Sequence, residues 1–81
     1  DWPTAANGKS AIAVGTTARA EGLSAIAFGS SSIANQDFAS AFGHSAFATG
    51  ASAVAMGTNS SASGTRAVAV VERAYAFATD G

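Results

Sequence analysis

The 81-residue sequence has no cysteine, one histidine, one proline and few charges, with four basic and five acidic residues. Each scarcity excludes something. Without cysteine there is no disulfide framework, and with His44 alone there is no Cys/His zinc site, so neither metal nor cofactor is expected. A net charge of −1 with no basic cluster argues against nucleic acid as a partner. No apolar run is long enough to cross a bilayer, and Asp1 does not open a signal peptide, so an exported chain reads here as an excised piece. Lack of cysteine fits an extracellular bacterial protein. Disorder is opposed by 48% hydrophobic residues combined with low charge. An alanine-rich helix is opposed by the nine glycines and by β-branched residues in alternation. A compact chain this small buries only about 60% of its unfolded surface, which points to association with other chains.

What is present is a period. Gly15, Gly29, Gly43 and Gly57 are spaced by 14; Gly8, Gly22, Gly50 and Gly64 share the step, with Gln36 filling the gap. Counting Lys9 as position 1 gives five units over residues 9–78: KSAIAVGTTARAEG, LSAIAFGSSSIANQ, DFASAFGHSAFATG, ASAVAMGTNSSASG and TRAVAVVERAYAFA. Residues 1–8 fit as a partial coil and 79–81 as an end, so 1–81 is read as one domain. Fixed-length repeats imply a solenoid. Alternation of period two predicts two strands per unit, roughly positions 2–6 and 9–13, with the glycines at 7 and 14 supplying positive φ in tight turns. Coils stacked about 4.8 Å apart make a rod whose five coils span about 24 Å. The last segment, VVERAYAFATDG, is expected to form a partly irregular terminal coil, because Val71 and Ala78 replace its glycines.

Positions 3, 5 and 12 are alanine in every unit, position 10 is Ala or Ser, and positions 4 and 6 carry the large apolar residues. Filling an ordinary sheet separation of about 10 Å requires bulk, so positions 4, 6, 10 and 12 are expected inside. Phe38 and Phe42 would then compensate for the small Ser40 on that face. The alanines at positions 3 and 5 then face outward as a self-association surface: Ala11, Ala13, Ala25, Ala27, Ala39, Ala41, Ala53, Ala55, Ala67 and Ala69. Positions 11 and 13 form the outer face of the second strand. There Arg19, Ile33, Asn35, Phe47, Thr49, Tyr75 and Phe77 are the candidate ligand face, with Ile33 and Phe47 one apolar stripe and Tyr75 with Phe77 another. Trp2 is placed over the open end of the first coil.

SAIAVG at 10–15, SAIAFG at 24–29 and SAVAMG at 52–57, joined by AxAxG stretches at 18–22 and 46–50, resemble the repeats of trimeric autotransporter adhesin heads of the YadA type. The resemblance covers nearly the whole chain. It implies a left-handed parallel β-roll of two-strand coils, a homotrimeric solenoid, and display on a stalk beyond the outer membrane of a Gram-negative bacterium. It also implies an adhesin's partners: host extracellular-matrix proteins, host cells, or sister cells in autoagglutination. In some members an Asn before the motif is tied to collagen binding. Here that place holds Lys9, Leu23, Asp37, Ala51 and Thr65, which argues against collagen. The other reading is a structural spacer within a surface fibre. An ice-binding solenoid needs a regular Thr array, and position 8 reads Thr16, Ser30, His44, Thr58 and Glu72. Catalysis is not expected, since His44 has no triad partner in its unit. Left-handed β-helix acyltransferases run on hexapeptides and three-sided coils, which these units do not match.

Overall fold

The chain is described here from a computed structural model over residues 4–76, so Trp2, Phe77, Ala78 and the end at 79–81 lie outside the described residues. Eleven short strands follow one another: β1 (Ala5–Ala6), β2 (Ile12–Val14), β3 (Arg19–Ala20), β4 (Ile26–Phe28), β5 (Ile33–Ala34), β6 (Ser40–Phe42), β7 (Phe47–Ala48), β8 (Val54–Met56), β9 (Ser61–Ala62), β10 (Val68–Val70) and β11 (Tyr75–Ala76). Odd strands from β1 to β9, with β11, form a six-stranded sheet; β2, β4, β6, β8 and β10 form a five-stranded one. Every pairing is parallel and offset by one unit, as in Ile12↔Ile26 and Arg19↔Ile33. Each 14-residue unit is therefore one coil of an all-β solenoid with two parallel sheets. The last coil keeps both strands through Ala76, and Val71 there holds a φ of 118° close to that of the glycines it replaces; the rest of the segment expected to be irregular lies outside the described residues.

Strands are shorter than the alternation suggests, because positions 2 and 9 belong to the turns. Ser10, Ser24, Phe38, Ser52 and Arg66 at position 2, and Thr17, Ser31, Ser45, Asn59 and Arg73 at position 9, all have φ between 55° and 64°. Each is the third residue of a four-residue turn, closed by bonds such as Ala11 N–H to Gly8 O and Ala18 N–H to Gly15 O, both 3.1 Å. The left-handed conformation thus falls on Ser, Thr and Asn, and also on Phe and Arg, not on glycine. Glycine serves two other needs. At position 7 it carries φ values of 119–134°. At position 14 its φ is not positive, and a Cβ on Gly22 would lie 2.0 Å from the Gln36 carbonyl oxygen of the next coil. At Gly22 it is the stacking of the coils, not turn conformation, that leaves no room for a side chain, although Gln36 holds the same position one coil on.

The interior reverses half of the expected facing. Positions 10 and 12 point inward as anticipated: Ala18, Ala20, Ala34, Ala46, Ala48 and Ala62 are fully buried. Opposite them, however, stand Ala25, Ala27, Ala39, Ala41, Ala53, Ala55, Ala67 and Ala69, all buried within the single chain, while Ala11 and Ala13 of the first coil are half-buried and packed on the same cluster. These ten alanines are the lining of the coil, so they are not an outward self-association surface. Positions 4 and 6 point out. Phe38, on its left-handed turn, is exposed and fills nothing. The expectation failed because it held the sheets at their usual separation of about 10 Å. Two facing methyl layers close-pack when the sheets approach more tightly, and the Cα trace is only 12 Å across its shortest extent. Size limits at positions 3 and 5 are real, but the neighbouring backbone belongs to the same coil. Among the described residues the buried polar side chains of this core are Ser32 and Ser60, whose hydroxyls donate to Gly29 O at 2.7 Å and Gly57 O at 2.9 Å. That local bond lets serine stand where alanine otherwise does.

Candidate functional site: two outer faces of the solenoid

With alanine inside, the large side chains of the strands are left for the two outer faces. The five-stranded sheet presents positions 4 and 6. Ile12, Val14, Phe28, Met56, Val68 and Val70 are exposed there, and Ile26, Phe42 and Val54 are half-buried. Ser40 alone interrupts the apolar surface. Adjacent coils place like beside like: Phe28 and Phe42 stack with ring centroids 5.8 Å apart and planes 21° apart. Residues in register on parallel strands repeat at the coil spacing, so the face carries one unbroken apolar ladder at position 6 and a second at position 4 that is interrupted only at Ser40.

The six-stranded sheet presents positions 11 and 13. Of the residues expected on this face, Arg19, Asn35, Phe47 and Tyr75 are exposed and Ile33 and Thr49 half-buried; Phe77 lies outside the described residues. Ile33 and Phe47 are paired neighbours, as the sequence column implies. The face is mixed in character. Arg19 Nε donates to Glu21 Oε2 at 3.0 Å on the same strand edge. Toward the far coils the surface sinks into a cavity of about 450 Å³ lined by Ser45, Phe47, Asn59, Ser60, Ser61, Arg73 and Tyr75. Phe47 and Tyr75 belong to the expected face. The remaining lining residues were not singled out from sequence, although the column Phe47, Ser61, Tyr75 already shows a small residue between two rings.

His44 sits exposed in a turn. Among the described residues no group of three or more His, Cys, Asp or Glu side chains is placed to hold a metal ion. The two faces offer ladders of side chains to a partner, one set apolar except at Ser40 and the other varied.

Comparison with known families matches this arrangement to one of them. The YadA head domain repeat matches residues 6–32, 20–46 and 48–70, which is most of the chain. The chain belongs to the YadA head-repeat family. It is thus a head module of a trimeric autotransporter adhesin, a non-enzymatic class displayed at the outer membrane, and the 14-residue coils described above are its head repeats. No curated protein matches the chain.

Proposed function

We propose that three copies of this YadA-type head pack through the outer faces of their five-stranded sheets and turn the six-stranded sheets outward, toward host matrix, host cells or sister cells. One observation carries this reading. A chain with an alanine interior leaves nine large or medium apolar side chains on one face: Ile12, Val14, Ile26, Phe28, Phe42, Val54, Met56, Val68 and Val70. Contiguous apolar surface of this extent marks an interaction site. The homotrimer that the family implies supplies a partner for it. The burial that a chain of this size lacks is then gained between copies, not within one.

The outward sheet is the surface on which binding differs from coil to coil. Adhesion is tested by immobilising the trimeric head and measuring capture of matrix proteins and of whole cells, together with clumping of bacteria that display it. Replacing both Ile33 and Phe47 by Glu is expected to lower capture about tenfold while leaving the trimer mass and the β-sheet signal unchanged. Unchanged capture by a folded, trimeric double variant removes the adhesive role from this face and leaves the head as a spacer.

A further inference from the structure

Resting on the proposal that the six-stranded sheet faces outward, we infer that the cavity between Phe47 and Tyr75 is a binding slot for one carboxylate-bearing pyranose sugar. Phe47, Ser61 and Tyr75 occupy the same column on β7, β9 and β11, in direct register. Two coil steps separate the rings, so their attachment points lie about 9.6 Å apart. Ser61 between them is half-buried and contributes little height, which makes it the floor of a notch with an aromatic wall on either side.

The gap favours a sugar over a flat ring. A planar ring sandwiched between two others needs about 7 Å between the walls, with each contact near 3.5 Å. A puckered six-membered ring is thicker and fills the wider slot, presenting its C–H faces to Phe47 and Tyr75. Hydroxyl partners are supplied along one flank. Ser45, Asn59 and Arg73 all hold position 9 in successive coils, and each is fixed by the left-handed turn in which it sits, with φ of 60°, 62° and 64°. Their backbones are also tied coil to coil, Asn59 N–H to His44 O at 3.0 Å and Arg73 N–H to Thr58 O at 2.8 Å. Ser45 and Asn59 provide neutral donors and acceptors. Among the described residues Arg73 is the one charged group in the lining, and no carboxylate lines the cavity. A guanidinium beside aromatic walls selects for a carboxylate on the ligand. The volume of about 450 Å³ falls within the range of small-ligand sites. Terminal sialate and internal uronate share this chemistry.

The test uses the trimeric head with sialyllactose, a glucuronate-containing disaccharide and lactose as probes, read by calorimetry and by ligand-observed NMR. At least one acidic probe is expected to bind about tenfold more tightly than lactose. Preference for sialyllactose assigns a terminal residue; preference for the disaccharide assigns an internal one. Arg73→Gln is expected to bring the acidic probe down to the affinity of lactose. Ser61→Phe, on an outward half-buried position, is expected to abolish binding of all three, with sedimentation and circular dichroism unchanged. The inference is overturned if no acidic probe binds, if lactose binds as tightly as the acidic sugars, or if Ser61→Phe binds like the parent. Capture of cells and matrix measured on the same preparations separates the two levels. Capture that persists with no sugar binding overturns the slot alone, and loss of both overturns the adhesive reading as well.

Discussion

The two outer faces of the solenoid share a backbone, a period and an interior, yet they carry opposite kinds of sequence. On the five-stranded sheet, positions 4 and 6 repeat Ile, Val, Phe or Met with Ser40 the single exception. On the six-stranded sheet, position 11 runs Arg19, Ile33, Phe47, Ser61 and Tyr75, with no two alike. Stacking alone constrains both faces equally, because both pair in parallel at one coil per strand. The difference must come from what lies outside the chain. A face that meets sister copies along its whole length needs an apolar residue in every coil. A face turned to solvent and to partners has no such requirement, and there a notch such as Phe47–Ser61–Tyr75 costs the fold nothing.

The largest effect expected from breaking this comparison falls on what the two faces share. Ala41 is fully buried on the inner side of β6, and Ala41→Leu forces three extra carbons between sheets held apart by methyl groups. Overpacking of ordinary cores costs about 1–3 kcal/mol, and this core has no large neighbour able to rotate away. A loss of about 3 kcal/mol or more is expected, read as a fall in the urea midpoint with both the sheet signal and the trimer lost together. If Ala41→Leu keeps its β-sheet signal and merely dissociates, the alanines are an intermolecular surface after all.

Next in size is a matched pair that separates the faces directly. Phe42 and Phe47 lie in the same coil, on β6 and β7, one on each outer face. Phe42→Glu buries three carboxylates where copies meet and is expected to give a folded single chain by sedimentation at micromolar concentration, a penalty of about 3 kcal/mol or more per site. Phe47→Glu is expected to sediment as the parent trimer. Trimers from both variants remove the five-stranded face from the interface, and reversed outcomes exchange the roles of the faces.

The same pair of faces shows how far the sequence could be read. The coil, its period and the parallel register followed from Gly15, Gly29 and Gly43 and from the invariant alanines, since stacking forces every coil to repeat the last. The outward column Arg19, Ile33, Phe47 and Tyr75 was legible for the same reason. Facing within β2, β4, β6, β8 and β10 was not. Alternation fixes two sets of residues but not which is inside, and deciding by volume assumes a sheet separation that alanine itself sets. The exposed turn at Phe38 was hidden too, because period two runs smoothly through it and only the φ of 62° breaks the strand. The cavity needed three coordinates at once: the ring spacing, the recess at Ser61, and Arg73 lining the same space as Tyr75 from a left-handed turn position.

The smallest expected effect sharpens the contrast from the outward side. Arg19 and Glu21 pair across the edge of β3, with side chains 56% and 31% exposed. Such pairs contribute about 0–1 kcal/mol, since water screens the attraction and ordering two long side chains opposes it. Arg19→Ala is therefore expected to lower the melting temperature of the trimer by no more than about 4–8 °C, the shift that 1 kcal/mol produces in a domain of this size. Phe28→Ala on the other face removes a ring stacked on Phe42 and, in the proposed trimer, part of the contact between copies, and its drop should be several times larger. Equal drops for the two substitutions would mean that polar contacts on the six-stranded face help hold the head together. The varied column would then be a structural feature in its own right, and its freedom to carry a binding notch would no longer follow.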